Sequence, residues 1–179
     1  MMRLIQKITS SAIGLSLLTI PGVSAKIDSN HDELKRTLNG VGVEVFLNET
    51  ELCNGKESGM YSPEYNAIVI CQDDRIETSD QEVDWTENDY DTLRHEAQHV
   101  VQDCMEGIDN DKMSLFFSDR LEYIEFVVMG LTKLEFFHIV EAYRSFDSDI
   151  ILNELEAFAV AKGVKPNTIA KALRGVCKK

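Results

Sequence analysis

The sequence predicts one α+β domain, on three observations. Short runs of strand character fill the first half of the chain, around residues 41–48, 60–61 and 67–71. From Met113 onward only helical periodicity appears. The 179 residues, 44% apolar and 27% charged, suffice for a single hydrophobic core, without repeats or low-complexity tracts. A small N-terminal sheet or hairpin followed by a helical C-terminal half is the expected order.

The first 25 residues stand apart. Arg3 and Lys7 form a positive segment, Ala12 to Ile20 a short apolar stretch, and Val23-Ser24-Ala25 offers small residues after the break at Pro21-Gly22. That three-part pattern is a secretory signal peptide cut after Ala25, which leaves a mature domain of residues 26–179. An uncleaved anchor is disfavoured, because about nine apolar residues fall well short of the roughly 20 that span a bilayer.

Within the mature part, Ser29 with Asp32 three residues on starts a helix, and Asn39-Gly40 ends it. Val41, Val43, Val45 and Leu47 then alternate with Gly42, Glu44, Phe46 and Asn48, a strand with one buried face. Residues 49–59 are loop. Met60-Tyr61 and Ala67 to Cys71 flank a turn through Ser62-Pro63-Glu64. Residues 73–87 are acidic, lack apolar period and form a surface loop. Thr86, with Asp89 three residues later, caps a helix that runs to Cys104 or Met105, and Gly107 stops it. Further helices are expected over 115–129, 132–143, 150–162 and 166–177, the last with proline at its first position.

Four cysteines, all in the mature part, suggest two disulfides in an exported chain. Three connectivities are possible. The expected pairs are Cys53–Cys71, stapling the hairpin, and Cys104–Cys177, tying the last helix to the one that carries the chemistry. A four-cysteine zinc site is disfavoured because no C-x-x-C pair occurs.

That chemistry lies in His95-Glu96-Ala97-Gln98-His99. At 100° per residue, Tyr90, Leu93, Ala97, Val100, Val101 and Cys104 share one side of the 86–104 helix, its expected core face. His95, His99 and Gln102 fall opposite, with Thr92 and Asp103 beside them. Histidines four apart stack one turn over the other, so both imidazoles reach one zinc ion. Glu96, about 60° around from His99, can serve as general base toward water without taking a coordination position. Two surface histidines flanking a solvated glutamate are the bland alternative, and the placement on a capped amphipathic helix argues against it.

Through Thr92-Leu93-Arg94-His95-Glu96-Ala97-Gln98-His99-Val100-Val101 the chain resembles the zincin metallopeptidases. The resemblance implies a small mixed sheet beside the motif helix, further helices below a cleft, and hydrolysis of peptide bonds. Gln102 and Met105 stand where Gly and His would extend a metzincin motif. The gluzincin branch, with a glutamate ligand from a later helix and alanine three residues on, is the better match. Glu154 with Ala157 and Glu156 with Ala159 both fit that spacing. The two glutamates lie about 200° apart on a helix, so one binds metal and the other faces solvent. Glu154 is favoured, since its Glu-x-Glu-Ala form resembles families whose first acid is the ligand. Asp103 is the candidate for orienting a histidine. Tyr143, His138 and Tyr123 are candidates for oxyanion donors, with ordinary packing as the alternative for each.

Without Arg3 and Lys7 the 18 basic residues fall to 16 against 31 acidic, moving the net charge from −13 to −15. Such a surface repels nucleic acid and anionic membranes and admits a neutral or basic polypeptide substrate. A secreted or periplasmic zinc peptidase is therefore the leading expectation. Its rivals are an exported acidic binding module with a structural metal site, and a secreted inhibitor.

Overall fold

A computed structural model describes residues 27–55, 57–107 and 112–177. The signal peptide expected at 1–25 lies outside them. The architecture is α+β: a three-stranded sheet and six helices, with the C-terminal half wholly helical.

Helix α1 (Ser29–Val41) is capped by Asp28, one residue before the expected start, whose carboxylate accepts from the Asn30 and His31 N–H groups. It runs past Asn39-Gly40 because the left-handed turn that stops it belongs to Gly42, at φ 97°. Strand β1 (Glu44–Leu47) accordingly begins three residues later than the alternation suggested. β2 (Gly59–Ser62) and β3 (Ala67–Ile70) form the expected antiparallel hairpin. β1 joins the sheet parallel to β3, giving the order β1-β3-β2 with β2 at one edge. Val43, Val45 and Leu47 turn toward the core with Ile68 and Ile70.

Cys53 and Cys71 are bonded, although the link joins the β1–β2 connection to the end of β3 rather than bracketing the hairpin itself. The acidic stretch after β3 is fastened from inside. Gln72, fully buried, donates to the Val83 carbonyl and accepts from Val83 N–H and from Asn48 Nδ2.

Helix α2 (Glu87–Glu106) starts in the expected capping box of Thr86 and Asp89. α3 (Arg120–Gly130) follows, then α4 (Lys133–Ala142), α5 (Ser148–Gly163) and α6 (Pro166–Val176). α3 begins five residues later than expected. The backbone N–H groups of Phe116 and Phe117 donate to the Glu156 carboxylate, which holds that stretch outside the helix. Cys104–Cys177 ties the end of α2 to the end of α6, as expected.

α2 lies at the centre, with β2 and β3 on one side and α5 and α6 on the others. Its core-facing residues are those expected. The side opposite is not a solvent face, however: His95, Gln98, His99, Gln102 and Asp103 are all buried there. A helix this enclosed is held by packing all round, and its polar side must find internal partners.

A second apolar cluster joins α3, α4 and α5 around Tyr123, Val127, Ile139, Leu155 and Ala159. A Cβ at Gly130 would stand 2.9 Å from Ala159 Cβ and 3.1 Å from its Cα, so α3 rests directly on α5 backbone. Gly130→Ala gains helix propensity of up to about 1 kcal/mol but forces these helices apart, at about 1–3 kcal/mol. Scanning calorimetry should show the melting temperature lowered by roughly 2–6 °C.

Candidate metal centre

The two histidines come from one turn of α2, and Glu154 reaches them from α5. His95 Nε2 lies 3.0 Å from His99 Nε2 and 3.3 Å from Glu154 Oε2, and His99 Nε2 lies 3.5 Å from Glu154 Oε1. These three buried side chains are the only group able to hold a metal ion among the described residues. Ligands 2.0–2.1 Å from a tetrahedral zinc are separated by about 3.3 Å, and the separations here are close to that, the two to Glu154 running to different oxygens of its carboxylate. Glu154 Oε2 is buried without a hydrogen bond among the described residues, with His95 Nε2 3.3 Å away. Two imidazoles and one carboxylate are also the donor set that zinc accepts.

The protonation pattern follows from the neighbours. Gln102 commits its amide nitrogen to the Asn153 carbonyl and to Glu156 Oε2, at 3.0 and 2.8 Å. Its oxygen therefore accepts, and His99 Nδ1 donates to it at 2.8 Å, which leaves the His99 Nε2 lone pair facing the centre of the triad. His95 Nδ1 has no hydrogen-bond partner among the described residues; its ring packs edge-on against Phe158 with centroids 4.4 Å apart. Burial works to raise the Glu154 carboxyl, but His99, His95 and the donating Tyr143 hydroxyl together hold it at about 2. Glu154 is thus a carboxylate under all ordinary conditions.

Glu96 is fully enclosed between α2 and β2. Burial pushes it up to about 7, with the Glu154 charge adding to the effect and with His99 and the Tyr61 backbone N–H opposing it. β2 comes this close only because residue 59 is glycine. A Cβ there would stand 2.6 Å from Thr92 Cγ2 and 2.9 Å from the Val69 carbonyl oxygen.

The remaining expected residues divide. Glu156 is neither ligand nor solvent-facing. It is completely buried, and it accepts from Gln98, Gln102, Phe116 N–H and Phe117 N–H. Both sides of α5 are covered, so two glutamates 200° apart are both interior. Asp103 does not take the histidine-orienting place; it accepts from the Tyr61 hydroxyl at 2.7 Å and links α2 to β2, while Gln102 orients His99. Tyr143 donates to Glu154 and so supports the triad through its carboxylate. Tyr123 donates to the Leu152 carbonyl, and His138 on α4 stands outside the triad. The sequence pattern passed over Gln102. Its position three residues after His99 places it on the same side of the helix, which was the available signal.

Behind the triad, Arg94 clamps three helices. Its Nε donates to the Ala161 carbonyl of α5 at 2.7 Å, Nη1 to His31 Nε2 of α1 at 2.7 Å, and Nη2 to Asp91. His31 Nδ1 in turn donates to Asp28, so this buried histidine is neutral and doubly engaged. Burial is the main force that lowers its pKa below the ordinary 6.5; the Arg94 charge acts the same way, and Asp28 and Glu87 oppose both. The folded chain therefore binds this proton less readily than the unfolded chain. The stabilisation is whole above pH 6.5 and is lost as pH falls below it. Glu96, raised to about 7, acts in the opposite sense over this range, so the His31 contribution is read as a difference: between pH 7 and pH 5 the melting midpoint of His31→Gln should shift less in the destabilising direction than that of the wild type.

The fold and the site thus define an α+β domain with a buried His-His-Glu triad that could hold a metal ion. Residues 24–178 match a family model described as "Domain of unknown function (DUF8637)", and the chain belongs to that family. No curated protein and no solved structure matches the chain.

Proposed function

We propose that this protein is an exported, zinc-dependent metallopeptidase of the gluzincin-like type, with His95, His99 and Glu154 as metal ligands and Glu96 as general base. The observation that carries this reading is the buried His95, His99 and Glu154 cluster, whose shortest separations of 3.0, 3.3 and 3.5 Å are near the ligand spacing of a tetrahedral zinc shell, the two to Glu154 running to different oxygens of its carboxylate. When bound, zinc would supply Lewis acidity, polarising a carbonyl and making water a nucleophile near neutral pH. The residues of the chain supply the rest. Glu96, with its pKa raised to about 7, takes the proton from a water as its oxygen adds to the peptide carbonyl carbon. It then returns that proton to the amine nitrogen as the C–N bond breaks. Glu154 keeps its negative charge throughout, and Gln102 keeps the His99 lone pair directed inward.

Ala157, fully buried three residues after Glu154, keeps α5 slim where it approaches α2, in keeping with the gluzincin-like spacing. A polypeptide substrate is in keeping with β2 as an edge strand beside Glu96, whose carboxyl the Tyr61 backbone N–H already meets. Two disulfides favour an oxidising compartment, secreted or periplasmic. No described helix is long and apolar enough to cross a membrane. The net charge of −13 disfavours nucleic acid as a partner.

The test is metal titration of chelator-treated protein by calorimetry, alongside cleavage of a peptide library followed by mass spectrometry. One zinc per chain, with cleavage that returns on zinc addition, is expected. No zinc uptake would overturn the metal site. Zinc uptake without any cleavage would leave the non-catalytic module with a structural metal.

A further inference from the structure

The two histidines of the triad are supported unequally. His99 Nδ1 donates to Gln102 Oε1 at 2.8 Å, which fixes its ring with Nε2 toward the centre. His95 is only 8% exposed, yet among the described residues nothing pairs with its Nδ1. What lies against that ring is Phe158, with centroids 4.4 Å apart and planes at 61°. Phe158 follows Glu154 by four residues on α5, one turn along the same side of the helix. It is seated in turn against the apolar cluster of α3, α4 and α5. The helix that supplies the third ligand therefore brings an apolar ring, and no acceptor, to the first.

We propose, resting on the zinc reading above, that Phe158 is a positioning residue that withholds an acceptor from His95 and so loosens the hold on zinc. Coordination through Nε2 leaves the single proton of a neutral imidazole on Nδ1. For His99 that proton already rests on Gln102. For His95 it enters a buried place without an acceptor. In the metal-free chain the His95 proton is better kept on Nε2, 3.0 Å from the inward lone pair of His99 Nε2. Zinc must therefore displace it from a satisfied position to an unsatisfied one, and that cost falls on binding. Acceptors that support a metal-bound imidazole are worth about 10–100-fold in affinity. Occupancy of the centre then follows the supply of zinc over a range in which a fully supported centre would stay filled.

The experiment is calorimetric zinc titration, against a competing chelator, of metal-free wild type, Phe158→Gln, Phe158→Glu and Phe158→Leu, with far-UV circular dichroism on each. Residue 158 is only partly buried, so a polar side chain is tolerated there, and both longer polar variants carry oxygen about as far from the backbone as the ring centre. Phe158→Gln, which adds an acceptor without a charge, should tighten zinc by about 10–100-fold, and Phe158→Glu by at least as much. Phe158→Leu offers no acceptor and should not tighten it. Nitrogen-15 spectra of labelled histidine at about pH 8, where a free imidazole is neutral, should place the His95 proton on Nε2 without metal and on Nδ1 with zinc. The same position in both states overturns the proposal. Tightening by Phe158→Glu with a folded Phe158→Gln unchanged would be charge attraction, and overturns it too. Zinc uptake unmoved by either polar variant overturns the proposal and leaves the metal site standing, whereas a wild type that takes up no zinc overturns both.

Discussion

Glu96→Gln should slow peptide hydrolysis by roughly 10²–10⁴-fold while leaving zinc affinity unchanged. The amide keeps the size of the side chain and its packing between β2 and α2, yet it cannot take up a proton. Because Glu96 lies beside the ligand triangle without belonging to it, the metal count per chain should stay at the wild-type value. Kinetics and elemental analysis on the same preparation separate the two effects. Equal loss of metal and activity would mean that Glu96 serves the site structurally, and full activity would remove it from the mechanism.

The glutamates of α5 should fail in opposite ways when replaced. Glu154→Ala removes one ligand of three and should weaken zinc binding by more than about 100-fold, since even residues that only support a ligand are worth 10–100-fold. It also relieves a buried charge, so the fold should survive. Glu156→Gln should leave the ligands in place and undermine the protein instead. The new NH₂ would face Gln98, Gln102 and the Phe116 and Phe117 N–H groups, all of them donors. Buried donors left without an acceptor cost about 1–3 kcal/mol each. A loss of about 3–5 kcal/mol and a melting temperature lowered by roughly 10 °C or more are expected from thermal unfolding. If Glu156→Gln instead loses zinc and keeps its stability, the assignment of ligand and anchor is reversed.

Much of this was legible in the sequence, and the exceptions share one cause. The capping box at Thr86, the strand alternation and the outward displacement of His95 and His99 from the apolar stripe are local patterns, fixed within a few residues. The pairing of Cys104 with Cys177 was the favoured one of three connectivities that the sequence left open. What failed depends on contacts across the chain. Glu156 looked like a solvated residue because α5 had no visible partner on that side, and residues 115–119 looked helical because their N–H groups had no visible alternative to helix bonds. One long-range contact, the Glu156 carboxylate on the Phe116 and Phe117 N–H groups, corrects both. Parallel pairing of β1 with β3 was equally hidden, since period two specifies a face and not a neighbour. Asp103 was the candidate named for orienting a histidine, whereas a neutral amide, with oxygen on one side and nitrogen on the other, suits a site between an imidazole and a carboxylate.

The bond between Cys104 and Cys177 has a topological corollary. Chain scission anywhere in the 73-residue span it closes cannot release the helix bearing Glu154 from the helix bearing both histidines. A nicked molecule would migrate as one species until reductant is added, and as two fragments afterwards. For a protein that meets hydrolases in its surroundings, or that clips its own loops, a backbone cut is then survivable damage rather than disassembly.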